Sequence, residues 1–306
     1  MPLLPFLSFF LILSPPVKIP RTASQPTLTR VIHAQILLSR ANFSTGEIDG
    51  AAGANFRQAV KGFQTAHDLR VTGHVDRATW TALNADQAPA LISYTITNKD
   101  TAGPFEKIPD DLMEQAKLPA MGYESVDAEL GERFHSNPAL LHRLNPNKHF
   151  DQPDTEIWVP DVDSPAPGKA ASVTVSKSEN TVTALDEAGK IIAQYPCTSG
   201  SDHDPLPIGE WKVKDIVDNP PFYYNPDLFW NADDATQAKA KIAPGPRGPV
   251  GVVWIGITKE HYGLHGTPAP ALVGHAQSHG CVRLTNWDAL QLSKMVAWGT
   301  PVYFKE

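Results

Sequence analysis

The sequence has few cysteines, no long apolar run and no excess of positive charge. Only two cysteines, Cys197 and Cys281, occur in 306 residues, which excludes a disulfide scaffold and a zinc site made of cysteines alone. No apolar run reaches the ~18 residues of a membrane-spanning helix, so a polytopic membrane protein is excluded. The formal net charge of -7 argues against a nucleic-acid partner, because non-specific nucleic-acid binders are basic.

The overall amino-acid composition and the length predict several folded domains. A hydrophobic fraction of 42% with a charged fraction of 19% is enough to build cores, so global disorder is excluded. At roughly 150 residues per domain, the length predicts two domains, or three if some are small. The 28 prolines and 21 glycines indicate many turns and linkers rather than long helices.

The N-terminal segment is apolar but short. Residues 3–13 (LLPFLSFFLIL) are followed by Ser14-Pro15-Pro16, a pattern typical of the apolar core of a secretory signal. No Lys or Arg precedes this core, and the first positive charge is Lys18. We therefore expect residues 1–24 to be a signal peptide or an N-terminal anchor. The protein is then exported to the periplasm or cell envelope, and it contacts the membrane only if this segment stays uncleaved.

Residues 27–86 predict a small all-α bundle. Apolar residues form one helical stripe from Val31 to Leu37, and a second stripe runs from Phe56 to Phe63. Asp76 opens a third helix that ends at Leu83. A generic three-helix bundle explains these stripes, but it does not explain the residue pairs Phe63-Gln64 and Thr72-Gly73.

Those pairs belong to a longer motif that resembles the peptidoglycan-binding domain of bacterial wall hydrolases. The matching positions are Gln35, Leu38, Asp49-Gly50, Ala59-Val60, Phe63-Gln64, Leu69, Thr72-Gly73, Asp76, Thr79 and Leu83. The resemblance covers the whole segment and implies that glycan strands or stem peptides of peptidoglycan are partners of this chain.

Residues 92–162 predict a small α+β module. The order is a strand at 92–97, a helix at 124–134, a second helix at 137–147 and a strand at 157–160. This order and the run Leu144-Asn145-Pro146 resemble a LysM glycan-binding module, although the first half diverges. A degenerate spacer without sugar affinity is an equal alternative. The composition of residues 163–170 is that of a linker.

Residues 171–305 predict a mainly-β domain. Short β-branched runs at 173–175, 181–185 and 191–195 are separated by turn residues, as in the hairpins of an antiparallel sheet. Further strands are expected at 208–213, 250–257 and 302–304. One helix follows at 287–297, with Asn286 as its expected N-cap. The whole chain is thus predicted to be multidomain.

The chemistry is concentrated between residues 261 and 283. A thiol becomes a good nucleophile only as the thiolate, which needs a base or a positive neighbour. Cys281 follows His279-Gly280 and precedes Arg283, and a second His-Gly pair, His265-Gly266, lies upstream. Glycine before the cysteine lets backbone N–H groups approach a developing oxyanion. This pattern indicates acyl transfer.

The same string resembles the catalytic domain of L,D-transpeptidases, called the YkuD domain, over about residues 171–305. The matching positions are His265-Gly266-Thr267, Ser278-His279-Gly280-Cys281, Arg283-Leu284 and Asn286. Two positions depart from the family pattern: Gly248 stands where Asn is usual, and Cys197 where a small apolar residue is usual.

The resemblance implies a peptidoglycan L,D-transpeptidase, an enzyme of cell-wall biogenesis and cell shape that needs no cofactor or metal. Cys281 is then the nucleophile that attacks the carbonyl between the third and fourth stem-peptide residues, and His265 is the base. His279 and Arg283 orient the site or contact stem carboxylates, and the N–H groups of Gly280 and Cys281 form the oxyanion hole. Ser278, Gly266 and Thr267 complete the predicted substrate-binding or orienting set.

Two other functions remain open from the residues, and the pattern disfavours a third. If water replaces the acceptor amine, the enzyme is a carboxypeptidase. If the catalytic domain is inactive, the chain is a wall-binding protein. Two His-x3-His pairs, His261 with His265 and His275 with His279, suggest a zinc hydrolase, but glycines and prolines between them forbid the continuous helix that this needs. The aromatic residues Phe222, Tyr223, Tyr224, Phe229 and Trp230 predict either a flap beside the substrate or an ordinary core hairpin.

Overall fold

A computed structural model of the chain describes residues 25–164, 167–228, 238–278 and 280–306. The signal predicted at 1–24 lies outside the described residues, as do His279, Phe229 and Trp230. Among the residues that are described, no helix is long and apolar enough to cross a membrane.

The N-terminal module is a bundle of three helices, as the sequence predicts. Thr29 caps the first helix and Asp76 caps the third, each accepting a hydrogen bond from a backbone N–H group of the first turn. Ala34, Leu38, Val60 and Phe63 lie in the buried core between the helices. The helices are α1 (Arg30–Arg40), α2 (Ala54–Ala66) and α3 (Arg77–Leu83).

Gln64 explains the two residue pairs that a generic bundle leaves unexplained. Its side chain is fully buried, so each of its polar atoms needs a partner. The Gln64 carbonyl oxygen accepts from the N–H groups of Thr72 and Gly73, at 2.8 and 3.0 Å. Its Nε2 donates to Oγ1 of Thr72 at 3.0 Å and to Oγ1 of Thr79 at 2.8 Å. One buried amide thus joins α2, the Thr-Gly loop and α3.

The middle segment has the order strand, helices, strand. Its two strands pair antiparallel, with Leu91 opposite Pro160 and Thr95 opposite Glu156. The two predicted helices are present, and a short additional helix precedes them. The elements are β1 (Leu91–Thr95), α4 (Leu112–Gln115), α5 (Val126–Arg133), α6 (Pro138–Leu144) and β2 (Glu156–Pro160).

The C-terminal domain is mainly β. Its described strands are β3 (Ser172–Ser176), β4 (Thr181–Leu185), β5 (Ile191–Pro196), β6 (Thr198–Ser199), β7 (Gly209–Asp218), β8 (Phe222–Tyr224), β9 (Ala240–Ile242), β10 (Val253–Ile257), β11 (Gly263–His265), β12 (Val282–Arg283) and β13 (Pro301–Lys305). Within the described residues, the large sheet has nine strands in the order β5-β4-β3-β13-β7-β10-β11-β12-β6. Most pairs are antiparallel, as predicted, but β13 with β3 and β11 with β12 are parallel.

One helix, α7 (Asn286–Met295), packs against this sheet. Its N-cap is Thr285, whose hydroxyl accepts from the N–H group of Asp288 at 3.2 Å, so the prediction of Asn286 as the cap is wrong by one residue. The threonine hydroxyl meets the N3 amide, which leaves the Asn286 side chain free for other contacts.

The N-terminal bundle packs directly on the sheet domain. Gln194 of β5 donates its N–H to the carbonyl of Asn42 and accepts from the N–H of Ser44, both at 2.9 Å. Asn55 donates its side-chain amide to the carbonyl of Val273 at 2.9 Å. The segment between His265 and Cys281 therefore contacts the N-terminal module.

Candidate active site

Cys281 directly precedes β12, and its thiol faces the turn that leads into β11. Its S–H group donates to the carbonyl oxygen of His261 at 3.6 Å. Burial raises the pKa of the Cys281 thiol, while the N–H of Gly263 and the charge of Arg283 act in the opposite direction. The resting group is consequently a thiol at neutral pH, and a base is needed when it attacks a carbonyl.

The parallel pairing of β11 with β12 puts the thiol and the imidazole on the same face of the sheet. Leu264 pairs with Val282, and both point into the core. Because side chains alternate along a strand, His265 and its partner Arg283 face the other way. Cys281, one residue before Val282, shares this second face. Arg283 lies next to both groups, because its charge acts on the pKa of His265 and on that of Cys281. Cys281 is two residues before Arg283, so it lies diagonally across the two strands from His265.

His265 is held in one tautomer. Its Nδ1 lies 2.7 Å from the carbonyl oxygen of Gly266, and because a carbonyl only accepts, Nδ1 carries the proton. Nε2 therefore has its lone pair available. Burial, helped by the charge of Arg283, lowers the pKa of His265 to about 4, so the imidazole is neutral at physiological pH. Trp254, its antiparallel partner, stacks on the ring at 5.5 Å between centroids.

Ser278 ties the nucleophile segment to a neighbouring turn. Its hydroxyl donates to the carbonyl of Cys281 and accepts from the N–H of Gly200, each at 2.6 Å. The backbone of Ser278 donates to the Gly200 carbonyl at 3.0 Å. Ser278 is 4% exposed, so these bonds are shielded from water and hold the loop in place.

Gly280 has no room for a side chain. Its φ of +95° is disfavoured for other residues, and a Cβ atom there would lie 2.6 Å from the ring of Tyr262. This close approach brings the backbone before Cys281 under the aromatic ring. His279, the residue before it, lies outside the described part of the chain.

Gly266 and Thr267 shape the segment that follows the histidine. A Cβ on Gly266 would lie 2.1 Å from Oδ1 of Asn286, so only glycine fits. Thr267 is buried, and its hydroxyl accepts from the N–H of Ala269 at 3.3 Å. In this structure, Gly266 and Thr267 therefore determine the conformation of the loop that follows His265.

A small open cleft lies between the N-terminal module and the segment 270–275. Its lining is largely polar and includes the carboxylates of Glu47 and Asp49 and the imidazole of His275. Thr45 also lines it, and within the described residues the buried hydroxyl of Thr45 has no hydrogen-bond partner.

Several further predicted features can be located. Cys197 is fully buried, as expected, and both cysteines are free thiols. Tyr223 is exposed and Tyr224 buried on the hairpin of β8 and β9, so this part is half surface and half core. In the described ranges, no group of three or more His, Cys, Asp or Glu side chains could hold a metal ion.

Tyr262, Trp254 and Glu132 lie at or near the site but were not among the residues predicted from the sequence. Tyr262 lies inside the motif string, where its place between His261 and Gly263 was the available signal. Trp254 is found only through the register of β10 with β11. Glu132 is 154 residues from its partner Asn286, and no local pattern connects the two.

Comparison with known proteins gives the family. The family model of the L,D-transpeptidase catalytic domain matches residues 170–304 of the sequence. A second family model, described as "Putative peptidoglycan binding domain", matches residues 27–83. "Putative L,D-transpeptidase YqjB" of Bacillus subtilis (strain 168) is 30% identical over 152 residues, which cover 48% of this chain and 76% of that protein. "Putative L,D-transpeptidase YkuD" of Bacillus licheniformis is 29% identical over 195 residues, covering 62% of this chain and 97% of that protein.

Among solved structures, L,D-transpeptidase 3 of Mycobacterium tuberculosis with a faropenem-derived adduct is 21% identical, with a TM-score of 0.38, covering 52% of this chain and 77% of that chain.

The chain belongs to the L,D-transpeptidase family. It is a peptidoglycan L,D-transpeptidase that carries an N-terminal peptidoglycan-binding domain in front of a mainly-β catalytic domain. Because its substrate is peptidoglycan, its place of action is extracytoplasmic.

Proposed function

We propose that Cys281 and His265 catalyse the formation of cross-links between the third residues of two stem peptides. The observation that carries this proposal is the shared face of β11 and β12, which holds the partly exposed thiol of Cys281, the neutral, oriented imidazole of His265 and the charge of Arg283 next to both. An acyl-transfer site needs a nucleophile and a base in this relation.

In the first half-reaction the Cys281 sulfur attacks the carbonyl carbon between the third and fourth residues of a donor stem. The thiol proton passes to Nε2 of His265, and the carbonyl electrons move onto the oxygen. When the tetrahedral intermediate collapses, the C–N bond breaks. His265 returns the proton to the leaving amine of D-alanine, and a thioester remains on Cys281.

In the second half-reaction an amine of a neighbouring stem attacks the thioester. His265 takes a proton from this amine, the new C–N bond forms, and the C–S bond breaks. The thiolate of Cys281 then recovers the proton from His265, which restores the starting state. The tautomer seen in the structure suits both steps, because Nε2 is the atom that exchanges the proton.

The remaining residues act on orientation and charge. We assign the oxyanion contacts to the N–H groups of Gly280 and Cys281, which the positive φ of Gly280 supports. Arg283 places a positive charge beside the thiol and, with His279, is assigned to stem carboxylates. Ser278, Gly266 and Thr267 orient the loops on either side of the reacting atoms.

Product analysis tests the function. Incubation with disaccharide-tetrapeptide is expected to give dimers joined between third residues together with one released D-alanine per link. Mass spectrometry of the muropeptides distinguishes dimers from shortened monomers. Disaccharide-tripeptide as the major product would assign the chain to hydrolysis, and intact substrate would contradict both activities.

We also propose that the N-terminal modules hold the enzyme on the wall. The polar cleft beside Glu47 and Asp49 supports this for the peptidoglycan-binding module at 27–86. The two helices α5 and α6 between the paired strands β1 and β2 support a LysM-like module at 92–162, although the short helix α4 is an addition to the expected order. The linker 163–170 would join this module to the catalytic domain at 171–305. The apolar core at residues 3–13 supports export to the periplasm or envelope through an N-terminal signal.

Wall retention is measured on the full chain. We expect the Cys281→Ala variant, which cannot acylate, to sediment with purified sacculi at modest salt and to stay soluble with cellulose. The cellulose pellet controls for general adhesion to an insoluble polysaccharide. Recovery in the supernatant with both polymers would contradict the assigned role of the N-terminal modules.

A further inference from the structure

The first turn of α7 is the place where both N-terminal modules touch the catalytic domain. Three consecutive residues there each have a partner on a preceding module. The pairs are Asn286 with Glu132 at 3.0 Å, Trp287 with His135 as stacked rings 5.0 Å apart, and Asp288 with the hydroxyl of Ser44 at 2.9 Å. This turn begins only five residues after Cys281, so the contacts lie next to the catalytic segment.

The amide of Asn286 has a defined orientation. Its Nδ2 donates to both carboxylate oxygens of Glu132 and to the carbonyl of Pro246, each at 3.0 Å. Its Oδ1 accepts from the N–H of Val252 at 3.2 Å. Because three acceptors surround the nitrogen and a donor meets the oxygen, a flipped amide would lose these bonds.

The oriented oxygen of Asn286 packs against Gly266. A Cβ on Gly266 would lie 2.1 Å from this oxygen, which shows how closely the side-chain oxygen of Asn286 approaches the backbone of Gly266. The carbonyl oxygen of Gly266 in turn accepts a hydrogen bond from the Nδ1–H group of His265, at 2.7 Å between the two heavy atoms. The position of Gly266 therefore decides which tautomer His265 adopts and where its Nε2 points.

We propose that Glu132 of the middle module is a positioning residue of the active site, which holds Asn286 against Gly266 and thereby fixes the tautomer of His265. The consequence for turnover rests on the proposed role of His265 as the base. Glu132 is itself held, because the hydroxyl of Tyr123 donates to its Oε1 at 3.0 Å. The middle module then acts on the geometry of the active site through Asn286, in addition to any contact with the wall.

The test compares three variants of the full chain. Glu132→Ala removes the carboxylate that Asn286 donates to, and we expect kcat to fall about 10- to 100-fold with KM little changed, since small misplacements of a catalytic group have effects of this size. Glu132→Gln keeps a carbonyl acceptor and should restore most of kcat. His135→Ala disturbs the same interface without touching Asn286 and should keep kcat.

A spectroscopic readout separates positioning from catalysis. In ¹⁵N NMR spectra of the imidazole side chains, wild-type His265 should carry its proton on Nδ1, and Glu132→Ala should move population to the Nε2–H tautomer. A tautomer change without loss of kcat would support the positioning and remove His265 from its role as the base. Wild-type kcat and spectrum in Glu132→Ala, or an equal loss in His135→Ala, would overturn the proposal.

Discussion

Cys281→Ala is expected to abolish acyl-enzyme formation and cross-linking, whereas Cys197→Ala should keep both. A carbapenem presents a strained carbonyl to the same attack, so the wild-type enzyme should gain the mass of one drug molecule. Cys197 is fully buried, and burial raises the pKa of its thiol far above the usual range. It offers neither access nor a thiolate.

Intact-mass spectrometry after incubation with the carbapenem measures this difference. Cys197→Ala is the matched control, because it removes a thiol of the same domain from a position without access to substrate. An adduct that persists in Cys281→Ala and disappears in Cys197→Ala would mean that the nucleophile has been assigned to the wrong cysteine.

His265→Ala should slow acylation by about 10²- to 10⁴-fold, the usual range for loss of a general base. The pH profile should also change. Because the pKa of His265 is lowered to about 4, the base is deprotonated above that pH, and the wild-type rate should decline on the acid side only near pH 4. The alanine variant should lack this acid limb, since no imidazole remains to be protonated.

Single-turnover acylation, followed by mass between pH 3 and 9, measures both effects. His279→Ala is the comparison, because this histidine is only two residues from Cys281 and belongs to the same motif. If His279→Ala loses the acid limb and most of the rate while His265→Ala keeps them, the two roles are exchanged. Loss of wall retention in either variant would indicate a folding defect instead.

The sequence predicted the parts of the fold that depend on local patterns. The three N-terminal helices follow from their apolar stripes and from the cap at Asp76, and the mainly-β character of the last domain follows from its β-branched runs. The motif pointed to Gln64, but only the structure supplies the reason, which is a buried amide with five hydrogen bonds.

The relations that create the site are non-local. The parallel pairing of β11 with β12 joins segments that no hairpin connects, so alternation along either strand could not show that His265 and Cys281 share a face. The neighbouring capping residues Thr285 and Asn286 illustrate a second limit. Both residue types cap helices well. In the structure Thr285 caps α7, while the side chain of Asn286 contacts Glu132 and Gly266, which are distant in sequence.

The two backbone bonds between Gln194 and the chain at Asn42 and Ser44 have a consequence for solubility. β5 is the terminal strand of the nine-stranded sheet, and an open terminal strand is a template on which a second chain can add its own strand. Residues 42–44 occupy that position in parallel with Gln194. The N-terminal module thus also covers this edge of the catalytic sheet, and a catalytic domain produced without the module would expose β5 to pairing with a second chain.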